Sequence, residues 1–438
     1  MASDTLSSGQ LSLVGISSAA LAAFREAVLA ARDQDYWQAI QYYGEALQFQ
    51  QTPDEFRARL FEYRGQCFWL VGEFRAAEKD YNESLTTSDS PEQISRAHVR
   101  LGEMADFQGE YGRAEKLFRQ ALQEGVAAEN LLVIGRARRG LGIVHRRQGN
   151  TEKALSHLTQ ALTAVRQAGE MREQGRVLIS LGRTYQARGD YQLALNAYSE
   201  ARTILENLHD RWRIAQVINY IGECHQALYD IDMALTHHQE ALRMTTELDA
   251  VILTPEIKRN AGIDLVEIGQ YEAGLMYLQA SLEGARELGN REYEAYSLYH
   301  LGRVYTQHED YDQAGRNIDA LYKVADMLEA DRFRAMAAFA RGELFFHQER
   351  RTEAMVELNM AMLAAQTAVD RGILWKLHAT MSHVADNAAI AAVHRTIAAD
   401  FIRQTAEPLE DPRLKSTFLH APPVLAVLQA ARIDPDSL

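Results

Sequence analysis

Glycine returns every forty residues along most of this chain: Gly102, Gly142, Gly182, Gly222, Gly262, Gly302 and Gly342 stand in one register. The same step carries Ala114 to Ala154, Ala194 and Ala234, then to Gly274, Ala314 and Ala354, and it joins the aromatic positions Tyr111, Tyr191, Tyr271 and Tyr311. Two earlier copies run slightly off this register, one with Gly65, Phe74 and Ala77 and one with Tyr36 and Ala39, which makes nine units. A period of this size constrains the fold more than any composition does. Each unit is one supersecondary element that cannot bury its apolar face alone, so the units must stack.

The stretch SLGRTYQARGDYQLALNAYSEA, residues 180–201, shows the unit most cleanly. Apolar residues three and four apart on either side of a Gly-Asp break predict two amphipathic helices joined by a tight turn. Small residues at Gly182 and Ala194 let the two helix backbones approach, and Tyr198 fills the space beside them.

The set Leu181, Gly182, Tyr185, Gly189, Tyr191, Ala194, Tyr198 and Ala201 resembles a tetratricopeptide repeat, and nine such units cover residues 16 to about 368. The resemblance implies an all-α fold, a right-handed superhelical solenoid of stacked helix-turn-helix units. It divides the chain into a disordered N-terminus over 1–15, nine helical hairpins over 16–370, and capping helices with a tail over 371–438. Extra residues such as NLHDR (207–211) and ELGNR (287–291) lengthen the usual unit. This long form is similar to arrays in bacterial regulators and in scaffold proteins that bind peptides from signalling partners. Some copies depart from the pattern: Thr151 replaces the turn aromatic, LYDID replaces the Gly-Asp turn in the sixth unit, and QERRT stands in the ninth. The segment after the ninth unit keeps helical periodicity without the Gly and Ala anchors, as a pair covering the last apolar face would. Phe418, Leu419, Pro422, Val424 and Leu428 of the tail are similar to the close of repeat regions in large bacterial signalling ATPases.

The chain carries 60 acidic and 46 basic residues, a net charge of −14, which disfavours a general role on nucleic-acid phosphates. Its two cysteines, Cys67 and Cys224, lie too far apart in sequence for a metal motif or a secreted disulfide framework. With neither a basic-apolar leader nor a long apolar run, the chain is expected to be cytoplasmic and off the membrane. No phosphate loop, dinucleotide fingerprint, zinc motif or nucleophile elbow is present, so neither catalysis nor a cofactor or metal is expected. His225, His237 and His238 are the nearest approach to a ligand set. Adjacent helical residues point about 100° apart, so His238 is read as a packing residue and His237 as exposed. Trp37 and Trp212 are expected to pack near helix starts, whereas Trp69 falls either in the core or on the inner face.

In the repeat family the first helix of each unit lines a concave groove. Placing the Leu-Gly pair at the seventh and eighth positions, the resemblance implies a groove lined by the second, fifth, ninth, twelfth and thirteenth. In the fourth unit these are Arg136, Arg139, Ile143, Arg146 and Arg147, and in the fifth Arg176, Ile179, Arg183, Gln186 and Ala187. The sixth adds Asn219, Glu223 and Gln226 among them, and the eighth Tyr296, Tyr299 and Arg303. Six arginines among ten positions admit two readings. They form an electropositive floor for an acidic partner segment, since Arg grips carboxylates with a planar fork, or they pair with acids on neighbouring units in a solvated lattice. A chaperone-tail carboxylate clamp needs Lys and Asn at set positions over three units, and the Lys positions are empty here. The resulting expectation is a non-catalytic scaffold or adaptor that binds a protein or peptide, with a ligand- or peptide-sensing bacterial regulator as the alternative. A homodimer through the C-terminal cap is also open.

Overall fold

The computed structural model describes residues 15–49, 51–328, 330–368 and 371–438. The N-terminal segment expected to lack order falls, up to residue 14, outside the described residues. Among those described, helices follow one another without a strand. The first six are α1 (Ser18–Arg32), α2 (Tyr36–Leu47), α3 (Asp54–Leu70), α4 (Phe74–Thr87), α5 (Pro91–Phe107) and α6 (Tyr111–Ala127). Next come α7 (Leu131–Arg147), α8 (Thr151–Gln167), α9 (Met171–Arg188), α10 (Tyr191–Asn207), α11 (Arg211–Ala227) and α12 (Ile231–Glu247). The series continues with α13 (Thr254–Glu267), α14 (Tyr271–Glu287), α15 (Arg291–Gln307), α16 (Tyr311–Leu328), α17 (Asp331–His347) and α18 (Arg351–Ala368). Helices α19 (Arg371–Val384), α20 (Ala388–Ala406), α21 (Pro412–His420) and α22 (Pro422–Ala430) complete it. The fold is therefore an all-α helical-repeat solenoid, built from the hairpins that the periodicity predicts.

Local chemistry sets the breaks. Gly109, Gly149, Gly189 and Gly269 end the first helix of their hairpins with φ of 79–85°, the left-handed region that suits glycine. Tyr229, Glu309 and Glu349 occupy the same register position with φ of 59–61°. The sixth, eighth and ninth units thus make the same turn without glycine, at a backbone cost of about 1–2 kcal/mol each. Between hairpins, Asp210 and Asn290 cap the following helices by accepting from the backbone N–H groups of Arg213 and Tyr293 at 3.3 and 2.9 Å. The residues that lengthen the unit, NLHDR and ELGNR, carry these caps.

The repeated glycines mark where two helices touch. A Cβ on Gly102 would lie 2.8 Å from the ring of Phe118, one on Gly142 would meet Leu158, and one on Gly182 would clash with the ring of Tyr198. Gly222, Gly302 and Gly342 face His238, Ile318 and Leu358 in the same way. Tyr198 has little room to yield: it is fully buried, and its hydroxyl donates to Oε1 of Gln186 at 2.8 Å. Gly182→Ala should therefore destabilise by about 1–3 kcal/mol. Gly315→Ala, on a helix with open space around the new methyl, should stabilise by up to about 1 kcal/mol. Parallel thermal melts read both, and an unchanged melting temperature for Gly182→Ala would refute the close-approach role.

Two units emerge from the contacts. One consists of the chain up to Leu141 with Thr163–Glu170 and Thr245–Ile252, the other of Gly142–Leu162, Met171–Met244 and Leu253–Leu438. Within the first, α2 to α6 each pack on the helix before. Phe24, Tyr43 and Phe56 form an apolar cluster at one end. A buried carboxylate, Glu62, accepts from Arg96 at 2.9 Å, Arg100 at 3.3 Å and Gln93 at 3.3 Å. Burial raises its pKa, but the arginines outweigh that and hold it down at about 2. Trp69 belongs to this core, edge-on to Phe74 and Phe107 with centroids 5.2 and 4.8 Å apart.

Candidate functional site

In the second unit the first helix of each hairpin touches the first helix of the next: α9 meets α11, α11 meets α13, α13 meets α15, α15 meets α17, and α17 meets α19. Helix α19 in turn touches α9, so the series closes into a ring. Closure is fastened by the left-handed turn after α11, where Tyr229 meets Trp375 edge-on at 6.5 Å between centroids and Lys376 lies 5.6 Å from the centre of the Tyr229 ring. The backbone N–H of Glu410 donates to Oε1 of Gln192 at 3.0 Å, tying the tail to α10. The terminal segment thus packs on α18 and shuts the ring as well.

Between these helices lies a cavity of about 620 Å³. Six cationic side chains line it, Arg146, Arg183, Arg259, Arg303, Arg332 and Lys376, against three carboxylates, Glu223, Glu267 and Glu343. In a chain of net charge −14 this is a local inversion of sign. Tyr296, Tyr299 and Trp375 supply aromatic wall, while Gln186, Gln226 and Asn260 supply neutral hydrogen-bonding groups. Burial, then the charges of Arg259, Arg303 and Lys376, hold His300 well below its ordinary pKa.

Most of the arginines are spoken for. Glu223, on α11, bonds Arg183 and accepts from Arg259 at 3.2 Å, Asn260 at 2.8 Å and Gln186 at 2.8 Å. Burial would raise its pKa; Arg183 and Arg259 prevail and bring it down to about 2. Arg303 grips Glu343 with both arms of its fork, at 2.6 and 3.1 Å. Arg147 pairs with Glu292, and Arg176 with Glu173 at 2.9 Å. Arg139 pairs with Glu103 in the first unit, where Arg136 helps to lower the Glu62 carboxyl. Asn219 accepts from Asn260 at 2.9 Å beneath the lining, and Gln226 donates to Asp264 at 2.6 Å.

Arg146 differs from all of these. It is 6 % exposed, lines the cavity, forms no ion pair among the described residues, and its Nε lacks a hydrogen-bond partner. Burial brings its pKa from 12.5 to about 10, and the charges of Arg183, Arg147 and Arg332 push the same way. A guanidinium stays protonated at neutral pH despite such a shift, so Arg146 is a buried charge that no carboxylate of the described residues pairs.

A family model described as tetratricopeptide repeat matches residues 93–167, 133–207, 173–247 and 253–318, which together span half of the chain. The chain belongs to the tetratricopeptide repeat family. Comparison with curated proteins by sequence gives no match. Among solved structures, a Rap protein complexed with Competence and Sporulation Factor is similar at TM-score 0.63 and 15% identity, over 81% of this chain and 100% of that one. The Rap conjugation gene regulator of the plasmid pLS20, in complex with the Phr* peptide, is similar at 0.51 and 14%, over 80% and 97%. At these identities the likeness is one of fold.

Of the groove positions taken from the tetratricopeptide repeat, Arg146, Arg183, Gln226, Tyr296, Tyr299 and Arg303 come together around the cavity. Arg147, Arg176 and Asn219 do not line it, and Arg136 and Arg139 belong to the other unit. Arg259, which was not singled out, sits at the fifth position of the seventh tetratricopeptide repeat and so was within reach of the same register. Trp375 and Lys376 lie beyond the repeats, where no register applies. His238 fills the space under Gly222 and bonds Asp264 through Nδ1, a packing role. His237 is half-buried against His225 rather than exposed, at 5.5 Å between ring centroids. Trp212 packs partly buried in the cluster of Ala215, Ile218 and Ile257. Trp37, expected to pack locally, is 52 % exposed because its position turns away from the α1–α3 core.

Proposed function

We propose that this protein is a non-catalytic receptor that holds an acidic peptide segment in the cavity of its second unit. The observation that carries the reading is the inversion of charge: cations outnumber carboxylates among the lining residues of an otherwise acidic chain. Aromatic walls and amide side chains add the features that hold an extended backbone. The two Rap structures, one complexed with Competence and Sporulation Factor and one with the Phr* peptide, support a peptide as the class of ligand. Ring closure through α19 further favours a regulator over a passive scaffold, because an occupant touching Trp375 or Lys376 acts directly on the C-terminal helices.

Pools of fluorescent hexapeptides, acidic, neutral and basic, separate this reading from its rivals when titrated into the full chain. The acidic pool is expected to bind tightest, with an affinity that falls as salt rises. Lys376→Glu reverses a half-buried charge that has no ion pair among the described residues, and it should weaken acidic binding by about tenfold or more. An acidic pool that binds no better than the neutral one would refute the proposal.

A further inference from the structure

We infer that Arg146 is the anchor of a carboxylate subsite within this cavity, the point at which an acidic side chain or the free C-terminus of the bound peptide is gripped. This rests on the receptor reading above and adds to it a residue and a chemical group. Among the described arginines of the lining, Arg183 and Arg259 share Glu223, and Arg303 holds Glu343. Arg146 holds no carboxylate of the chain, although it is more than nine-tenths buried. A fork of donors fixed in that position, with its Nε unmatched, fits the two oxygens of a planar carboxylate. The groups nearest in charge point the same way: Arg183, Arg147 and Arg332 repel the guanidinium. An anion placed there relieves the repulsion and replaces the missing hydrogen bonds. Of the carboxylates in the wall, Glu223 and Glu343 serve other arginines and Glu267 forms no ion pair with Arg146, so the neutralising group must arrive from outside.

The test uses acetyl-tetraglutamate and acetyl-tetraglutamine, each with a free C-terminus and as the amide, titrated calorimetrically into the full-length protein and three variants. For wild type the glutamate peptides should bind better than the glutamine ones. Arg146→Gln should cost the glutamate peptides about tenfold or more in affinity, and Arg146→Lys should retain part of it because the charge remains without the fork. Loss confined to the free-acid forms would place the terminus in the subsite, whereas equal loss for acid and amide would place a side chain there; both outcomes support the subsite. Folding is not at risk in the same way as binding, since removing an unpaired buried charge should leave the melting temperature unchanged or higher. Arg146→Met, with no polar group at all, checks that point. Undiminished binding of the glutamate peptides by Arg146→Gln would overturn the subsite and leave the receptor reading standing. No preference for glutamate over glutamine in the wild type would overturn both.

Discussion

Glu223→Gln is expected to destabilise the second unit by about 3–5 kcal/mol, a fall in melting temperature on the order of 10 °C. The carboxylate is 9 % exposed and serves two buried arginines, Arg183 and Arg259, as well as Asn260 and Gln186. Glutamine preserves the shape but leaves two largely buried guanidinium charges with only the more distant Glu256 carboxylate, 3.4 Å from Arg183 and 4.0 Å from Arg259. The loss from Glu343→Gln should be smaller, because only Arg303 is stranded there. The same hub sets an acid limb. Its folded pKa of about 2 lies below the ordinary 4.5, so its contribution is complete above pH 4.5 and is lost as the pH falls from there through about 2. Wild-type melting temperature should decline across that window. The Glu223→Gln curve should be flatter there while keeping the part due to Glu62, whose pKa is displaced alike. Equal acid sensitivity in the two proteins would refute the role given to Glu223.

What the sequence made legible follows from what repeats. Gly182, Ala194 and Tyr198 recur at a fixed step because every hairpin must solve the same packing problem, so helix positions and the contact of Gly182 with Tyr198 could be read without coordinates. The counter-ions were also present in the register, though less plainly. The residue after each repeated glycine runs Glu103, Ile143, Arg183, Glu223, Ile263, Arg303 and Glu343. Stepping forty residues from Arg183 or Arg303 thus lands on the acid that each one holds. The ten groove positions of the fourth and fifth units contain no acid because the partners lie elsewhere: Glu103 of the preceding unit for Arg139, Glu223 of the next for Arg183, Glu292 of the eighth for Arg147, and Glu173 on its own helix for Arg176. Arg146 escapes that pairing, and this separates it from the lattice only once burial and neighbours are known. Ring closure had no sequence signal: Tyr229 and Trp375 meet across almost 150 residues. Their approach depends on the summed rotation of successive hairpins, to which every interface contributes a little and no single motif contributes much.

That closure leads to the second large effect. Trp375→Ala should destabilise the α19 region by about 3–5 kcal/mol, because the indole is 5 % exposed and provides the edge contact to Tyr229. The loss should be local. The repeats before α19 keep their own nearest-neighbour interfaces, as expected of a quasi-one-dimensional array, so helicity should fall little at ambient temperature while α19 opens more often. Limited trypsin digestion reads this opening at Lys376, which sits beside the indole and over the Tyr229 ring in the closed ring. Cleavage there should be faster in the variant by a factor that grows with the stability lost, provided reclosing outpaces cutting. Tyr229→Gly separates the two components of the latch. It relieves a left-handed backbone at φ 59°, a gain of about 1–2 kcal/mol, and removes the same aromatic contact from the other side. Its net loss should therefore be smaller than that of Trp375→Ala, although its effect on cleavage at Lys376 has the same sign. Were both variants as resistant to trypsin as wild type, the ring would be held by the Gln192 to Glu410 link and the α18 contact instead, and an occupant of the cavity would have no lever on the C-terminal helices through Trp375.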